Sequence, residues 1–488
     1  MKTLKEILKN IKVTEVSGKL DLTIDEIHFD SRQIQPDSLF VAIQGLTVDG
    51  HKFIDSATKN GAVAVLCEKM PEKRRSEVTY VVTENTSEAL GIAASEFYDN
   101  PSEKINLIGV TGTNGKTTTA TLLYHLYLNK GNNVGLISTI ANFINGKKIP
   151  TIFTTPDAIS LNKLLNEMVY EGCDYVFMEV SSHALRQNRI SGLKFKGTIF
   201  TNITHEHLDY HNTFQDYINS KKMLFDKYVG KNGFALYNAD DKNGKIMVQN
   251  TSAKKYSFAL KSPANYKGKV IEQHLDGSLL QINGKEIWIK FIGEFSAYNI
   301  LGVFATASLL GYDEEELYTA LTRLTPVDGR FETLQSNDNK TAIVDYAHSP
   351  DALENILKTV KNLQKEGQQI ITLIGAGGDR DKTKRPQMAR IALQYSNKVV
   401  LTSDNPRTEK PEDILEDMKK GVPEGKEQNV TTITDRKQGI KTACMLAREG
   451  DIIVIAGKGH ETYQEVNGVR HHFDDREIIK EIFKLKKQ

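Results

Sequence analysis

The stretch "LIGVTGTNGKTTTATLLYHL", residues 107–126, constrains this chain more than any other: an apolar strand runs into a glycine-rich turn and then a helix. Glycines followed by Lys116 and Thr117 at a strand-to-helix junction read as a phosphate cradle. Backbone N–H groups and the helix N-terminus receive the anion, the lysine neutralises it, and the hydroxyl reaches a magnesium ion. The candidate cradle is Gly112, Thr113, Asn114, Gly115, Lys116, Thr117 and Thr118. Its spacing departs from the usual P-loop, because Val110 stands where that loop has its first glycine. The residues alone leave open whether such a loop turns a switch, drives a motor or activates a second molecule.

A chain of 488 residues accommodates about three domains. Residues 1–100 carry short strands ("IDEIHFDSR", "SLFVAIQG", "AVAVLCE") and a helix near "HKFIDSATKNGA", ending at the turn-rich "YDNPSEK". Residues 101–331 alternate strands and helices through "INLIGVTG", "VGLIST", "YVFMEVSS", "GTIFTNIT" and "GFALYNAD". After "LTPVDGRFETLQSN", residues 332–488 repeat the alternation with "AIVDYAHS", "IITLIGAGG", "KVVLTSDN", "TTITD" and "DIIVIAGKG". That pattern predicts an α/β protein with mostly parallel sheets covered by helices on both faces. Ligands of open parallel sheets bind beyond the carboxyl ends of the strands. Glu179 and His207 fall there in the middle part; Asp345, His348, Arg380, Asn405, Arg407, Lys458 and Glu461 do so in the last. Two domains with polar strand ends suggest two half-sites facing each other.

Composition narrows the class. A net charge of +1 gives no electrostatic case for nucleic acid or an anionic membrane. The longest apolar runs, such as "DIIVIAG", fall short of the ~20 residues of a membrane span. The N-terminus sets Leu4, Ile7, Leu8 and Ile11 on one helical face and lacks the continuous apolar core of a signal peptide. Cys67, Cys173 and Cys444 are isolated thiols with no CxxC pair, so neither disulfides nor a cysteine metal site is indicated. A cytoplasmic enzyme or switch handling small molecules, without nucleic acid or membrane insertion, is expected. Thr117 and Glu179 are candidate ligands for a hard cation. "THEHLDYHN" adds His205, His207, Asp209 and His211, for which zinc is the rival metal; HExxH spacing and a cysteine partner are both absent.

"GVTGTNGKTT", "MEVSSHAL", "TNITHEHLDYH", "YINSKKMLF", "GEFSAYN", "VDGRFE" and "DYAHSP" occur in the order found in the Mur ligases, and the chain resembles that family over essentially its whole length. These ATP-dependent enzymes build the peptide of the bacterial cell-wall precursor. The resemblance implies three domains: a small α/β N-terminal UDP-binding domain, a central P-loop-type ATPase domain and a C-terminal Rossmann-like domain. It also implies an enzyme that phosphorylates a carboxylate to an acyl phosphate, which an amine attacks to give an amide; a monomer is expected.

Residue by residue, the family pattern implies that Lys116 takes the nucleotide phosphates, with magnesium held by Thr117 and by Glu179, His207 and Lys221. Lys221 matches the family's carbamylated lysine; a bare ammonium would repel the metal, whereas a carbamate acts as a carboxylate-like ligand. Lys222, one helical step away, faces elsewhere. Ser220 and Glu206 depart from the commoner alanine and aspartate without changing charge. Asn299, Arg330, Asp345 and His348 would contact ATP. Ser31 and Arg32 would hold the uridine diphosphate end of the precursor, and Thr154, Thr155, Ser181, Gln187 and Arg189 its muramoyl dipeptide.

The motif "SDNPRTEKP" points, within the family, to meso-diaminopimelate as the amine. Asp404, Asn405, Pro406 and Arg407 are all present, whereas the lysine-adding members lack the arginine. A guanidinium fork suits the one carboxylate that distinguishes the two amino acids. Arg380, Gly457 and Glu461 complete the implied pocket. Folylpolyglutamate synthetases are a further alternative and would lack the "FDSR" type of N-terminal domain. A non-catalytic nucleotide switch is the rival of another class, with no reason to keep Glu179, His207 and Lys221 together.

Overall fold

The computed structural model describes residues 2–45, 48–151, 154–204 and 210–484. It divides into two compact units: Met1–Gly112, Thr119–Asn202 and Thr213–Ser257 form the first, and Thr113–Thr118, Ile203–Asn212 and Phe258–Gln488 the second.

In the first unit, the helix Leu4–Ile7 opens with a capping box, Glu6 N–H on Thr3 Oγ1 and Thr3 N–H on the Glu6 carboxylate. Leu4, Ile7, Leu8 and Ile11 are buried together, as their spacing requires, against Ile24, Leu39, Leu66 and Val81. They cover a five-stranded sheet in the order Val13–Ser17, Thr79–Thr83, Ala62–Cys67, Ser38–Val41, Glu26–His28. The middle of a second, larger sheet runs Val134–Ile137, Tyr175–Glu179, Asn106–Thr111, Phe195–Phe200, Val229–Asn238, each of these pairs parallel, and Asn142–Ile144 and Lys147–Ile149 add antiparallel at the Val134–Ile137 edge. Leu107, Ile108, Val110, Val176, Phe177 and Met178 are fully buried, which is why these strands read as unbroken apolar runs rather than alternating ones. The strand Asn106–Thr111 is central, so the phosphate loop leaves the sheet beside the end of the strand carrying Glu179.

The second unit contains a six-stranded sheet in the order Glu332–Gln335, Thr341–Asp345, Ile452–Ala456, Ile370–Ile374, Lys398–Thr402, Val430–Ile433, antiparallel only at its first pair. Helices Pro350–Leu363 and Lys384–Tyr395 close one face, with Leu357, Val360, Met388 and Leu393 in the core. Helices Arg436–Leu446 and Asp475–Ile482 close the other through Ile440, Ala443 and Ile479. The unit also holds an antiparallel meander, Tyr266–His274, Gly277–Ile282 and Lys285–Ile289, that the βα alternation does not anticipate. Its second turn is Asn283-Gly284, with φ of +48° and +91°. That Asn-Gly pair between alternating runs is the hairpin signal. Among the described residues no helix is long and apolar enough to cross a membrane. The three cysteines are free and buried, and desolvation pushes each thiol up to about 11.

Candidate functional site

Three groups of polar side chains gather at strand ends. In the first unit, Glu179 ends a buried strand and is itself fully buried. Its carboxylate accepts from Thr139 N–H at 2.7 Å and from the Thr139 hydroxyl at 3.3 Å, and that hydroxyl bonds Thr154 Oγ1 at 3.1 Å. Thr155 donates to the Glu179 carbonyl at 3.0 Å and lies 3.4 Å from Ser181 Oγ. Ser181 caps the helix Ser182–Arg186. Arg189 reaches back to the Thr155 carbonyl at 2.8 Å and forks onto Gln187 Oε1 at 2.9 and 2.6 Å. The structure therefore brings Thr154, Thr155, Ser181, Gln187 and Arg189 together beside Glu179.

Lys221 belongs to the same unit, on the helix Phe214–Lys227, and its side chain is 1% exposed. Tyr217, Ile218, Leu224 and Phe225 share its buried face, three and four residues either side. Its Nζ donates to the Gly112 carbonyl at 2.8 Å and sits 4.5 Å from the Tyr217 ring centroid. Lys222 instead pairs with Asp226 at 2.6 Å. Gly112 itself permits no side chain: a Cβ there would lie 1.9 Å from Thr201 Oγ1. Ser31 and Arg32 are placed separately. The Ser31 carbonyl accepts from Asn60, and the Arg32 side chain, 87% exposed, forks onto Asp30 at 2.9 and 2.7 Å. Those bonds hold the Asp30 carboxyl down at about 2.

The tip of the phosphate loop belongs to the second unit. Lys116 donates to the Thr113 carbonyl at 2.8 Å, and the Thr113 hydroxyl accepts from Thr204 N–H at 3.0 Å. Asn114 donates to Asp351 at 2.8 Å. Gly115 has φ of +84°, and a Cβ there would meet Asn299 Oδ1 at 2.4 Å. Thr117 and Thr118 lie in the first turn of the helix Lys116–Asn129. Arg330 Nη2 is 3.3 Å from Thr117 Oγ1, and its guanidinium lies 4.6 Å from the Tyr346 ring centroid. Asp345 accepts from Phe331 N–H at 2.6 Å. Burial pushes its carboxyl up to about 6, against the pull of Arg330 and of the Phe331 and Ala347 N–H groups. His348 Nδ1 sits 2.9 Å from the Tyr346 carbonyl. Asn299, Arg330, Asp345 and His348 thus share a unit with the loop tip. His207, together with His205 and Asp209, lies outside the described residues; His211 is fully buried.

The third group, also in the second unit, joins "SDNPR" to "AGKGHE". Asn405 donates to Glu461 at 2.9 Å, and the fully buried Lys458 bonds both Asn405 and Glu461. Gly457, with φ of +115°, lets the chain pass where a Cβ would be 2.6 Å from the Asp404 carboxylate. After Pro406, Arg407 adopts a left-handed φ of +52°, held by its N–H on the Glu465 carbonyl and by its own carbonyl accepting from Asn467. Its guanidinium donates to the Gly378 carbonyl at 2.6 Å. Arg380 is exposed on the neighbouring loop. The motif reading missed two arginines beneath this surface. Arg385 is fully buried against Glu409 and Asp417 at 2.7 and 3.0 Å, and Arg436 against Asp475 at 2.7 Å. Each stands on the apolar face of its helix, with Met388 and Ala389 or Gly439 and Ile440 three and four residues on. A cation in an apolar stripe was the available signal.

Comparison with known proteins agrees along the chain. The Mur ligase family catalytic domain matches residues 23–98, the Mur ligase middle domain 110–307, and the Mur ligase glutamate ligase domain 329–459. The UDP-N-acetylmuramoyl-L-alanyl-D-glutamate–2,6-diaminopimelate ligase of Bacteroides fragilis is 51% identical over 482 residues, 99% of each chain. A solved structure of an enzyme of that description superposes with a TM-score of 0.70 at 30% identity, covering 99% of both chains. The MurF ligase of Thermotoga maritima, solved in complex with ADP, shares the fold at a TM-score of 0.61 and 19% identity, covering 95% of this chain and 98% of its own.

Proposed function

This chain belongs to the Mur ligase family, and on that premise we propose that it joins meso-diaminopimelate to UDP-N-acetylmuramoyl-L-alanyl-D-glutamate, cleaving ATP to ADP and phosphate. The observation that carries this reading is the 51% identity, over nearly the full length, with a ligase of that activity. The reaction suits the residues. A carboxylate is a poor electrophile, so its oxygen first takes the γ-phosphoryl group and ADP leaves. The amine nitrogen then attacks the acyl carbon, and the C–O bond to phosphate breaks as the amide forms. Positioning and charge neutralisation do most of this work.

In this reading the loop from Gly112 to Thr118 cradles the triphosphate, and Lys116 exchanges its bond to the Thr113 carbonyl for the phosphates. Asn299, Arg330, Asp345 and His348 complete the nucleotide site. The donor chemistry fits magnesium: the buried Glu179 carboxylate and the Thr117 hydroxyl are hard oxygen ligands, and His207 and Lys221 would join them. Bound magnesium would offset charge on the phosphoryl group. Lys221 would first lose its ammonium proton and then, as the neutral amine, combine with carbon dioxide, releasing a second proton and becoming a carbamate. Ser31 and Arg32 hold the uridine diphosphate, and Thr154, Thr155, Ser181, Gln187 and Arg189 the dipeptide.

Arg407 and Arg380 meet acceptor carboxylates, Glu461 an ammonium, and Asp404, Asn405, Pro406 and Gly457 shape the pocket between them. The domain limits proposed are 1–100, 101–331 and 332–488, in a cytoplasmic monomer. The test offers diaminopimelate and lysine separately with ATP and the uridine-linked dipeptide, and measures the amide formed. Amide from diaminopimelate alone is expected; equal use of lysine would remove the role given to Arg407. Hydrolysis of ATP without either cosubstrate would favour a switch instead.

A further inference from the structure

Lys458 follows Gly457 at the end of the strand Ile452–Ala456, and its side chain is 0% exposed. A buried ammonium is costly unless paired. This one is shared between two acceptors, Asn405 Oδ1 at 3.1 Å and Glu461 Oε2 at 2.9 Å, with the Tyr463 ring centroid 5.5 Å away. Asn405 Oδ1 also accepts from Glu465 N–H at 3.0 Å. With its oxygen committed twice, the amide has one orientation, and its Nδ2 donates to the same Glu461 Oε2 at 2.9 Å. Both bonds therefore fall on Oε2.

The backbone below is tied across the same gap. Arg436 donates to the Ser403 carbonyl at 3.4 Å and to the Ala456 carbonyl at 3.1 Å while pairing with Asp475. The strands leading to these carbonyls are not neighbours, since Ile370–Ile374 runs between them. The Asp404–Arg407 segment and the Gly457–Glu461 segment consequently depend on buried cations, at two levels, for their mutual register.

We infer that Lys458 is a positioning residue for the amino-acid acceptor. It locks Asn405 and Glu461 Oε2 together and leaves Glu461 Oε1 as the oxygen that meets the acceptor's ammonium. The inference rests on the ligase reading for the identity of that acceptor. There is an electrostatic corollary. A Glu461 without Lys458 would attract any cationic amine, lysine included. With Lys458 bonded to it, the pocket holds its ligand by directed bonds, which favours an amino acid matching both ends.

The experiment uses the full chain with ATP and the uridine-linked dipeptide, varying diaminopimelate or lysine. Lys458→Met should raise KM for diaminopimelate about tenfold, the loss of one hydrogen-bonded contact. KM for ATP should stay within about twofold, and the preference for diaminopimelate over lysine should narrow. Lys458→Gln keeps a donor without the charge; it should show a smaller rise of the same pattern, and it serves if the methionine variant does not fold. An unchanged or lowered KM for diaminopimelate, or an equal rise for ATP, would overturn the inference while leaving the ligase reading intact. Failure of the wild type to form an amide from diaminopimelate would remove that reading and this inference with it.

Discussion

The two lysines of the phosphate-loop region, Lys116 and Lys221, bond backbone carbonyls, whereas beyond the strands Lys398–Thr402 and Ile452–Ala456 the buried cations Lys458 and Arg436 pair with carboxylates. Lys221 leans on the Gly112 carbonyl and Lys116 on that of Thr113. Lys458, Glu461, Arg436 and Asp475 lean on each other or on the loop they support. On the proposed reading, the difference follows from what each site would recognise. A triphosphate is one dense anion that successive N–H groups of a single turn can meet. A zwitterionic amino acid presents both signs at separated points, so its contacts must come from several segments held at fixed spacing.

The sharpest break of this comparison is expected at the loop. Lys116→Ala and Lys221→Ala should each lower kcat by about a thousandfold or more, as loss of a group that offsets phosphoryl charge does. Added short carboxylates should partly restore Lys221→Ala. Steady-state rates check both, and an equal loss in Lys222→Ala would erase the distinction between the neighbours. Next comes the support of the proposed acceptor pocket. Arg436→Met leaves Asp475 buried and unpaired, so denaturant unfolding should show about 3–5 kcal/mol of lost stability. Arg436→Met combined with Asp475→Leu should recover much of it, and a double variant no better than the single would mean the pair is not coupled.

Arg407→Ala should raise KM for diaminopimelate by about ten- to a hundredfold, the worth of a charge-assisted hydrogen bond, with KM for ATP little changed. Parallel effects on both would contradict the division into two sites. A smaller effect is expected from Asp345. Its carboxyl titrates at about 6 in the folded protein against 3.8 ordinarily. Between those values the folded state holds the extra proton, so stability falls as pH rises through the window, and the cost is complete above it. Asp345→Asn should therefore raise the thermal midpoint at about pH 8 and lose that advantage near pH 4. The same gain at both would sink the burial account. Least is expected of Arg32→Ala: an exposed pair contributes little to stability, so only KM for the uridine-linked substrate should move.

Much of the fold was legible. Unbroken apolar strands alternating with amphipathic helices gave parallel sheets with both faces covered, and the N-terminal stripe of Leu4, Ile7, Leu8 and Ile11 is buried as its spacing demands. The meander at 266–289 breaks the βα rhythm, and its local mark in the sequence is the Asn283-Gly284 turn. In the candidate site, Lys221 stood out only by resemblance, although its position among Tyr217, Ile218, Leu224 and Phe225 already marked it as a cation on a buried face. Arg385 and Arg436 carried the same mark and no motif.

By itself, then, the sequence determined those features whose cause is local: the phosphate turn, the strand and helix periods, the capped first helix. Periodicity and turn chemistry act over a few residues, so they can be read in a few residues. The tertiary structure decided which charges are paired and which carbonyls they tie. Lys458 meets Asn405, and Arg436 meets Asp475 and Ala456, only after strands distant in the chain are laid side by side. A buried ion holds its charge only where partners converge on it, and that convergence is a property of the fold.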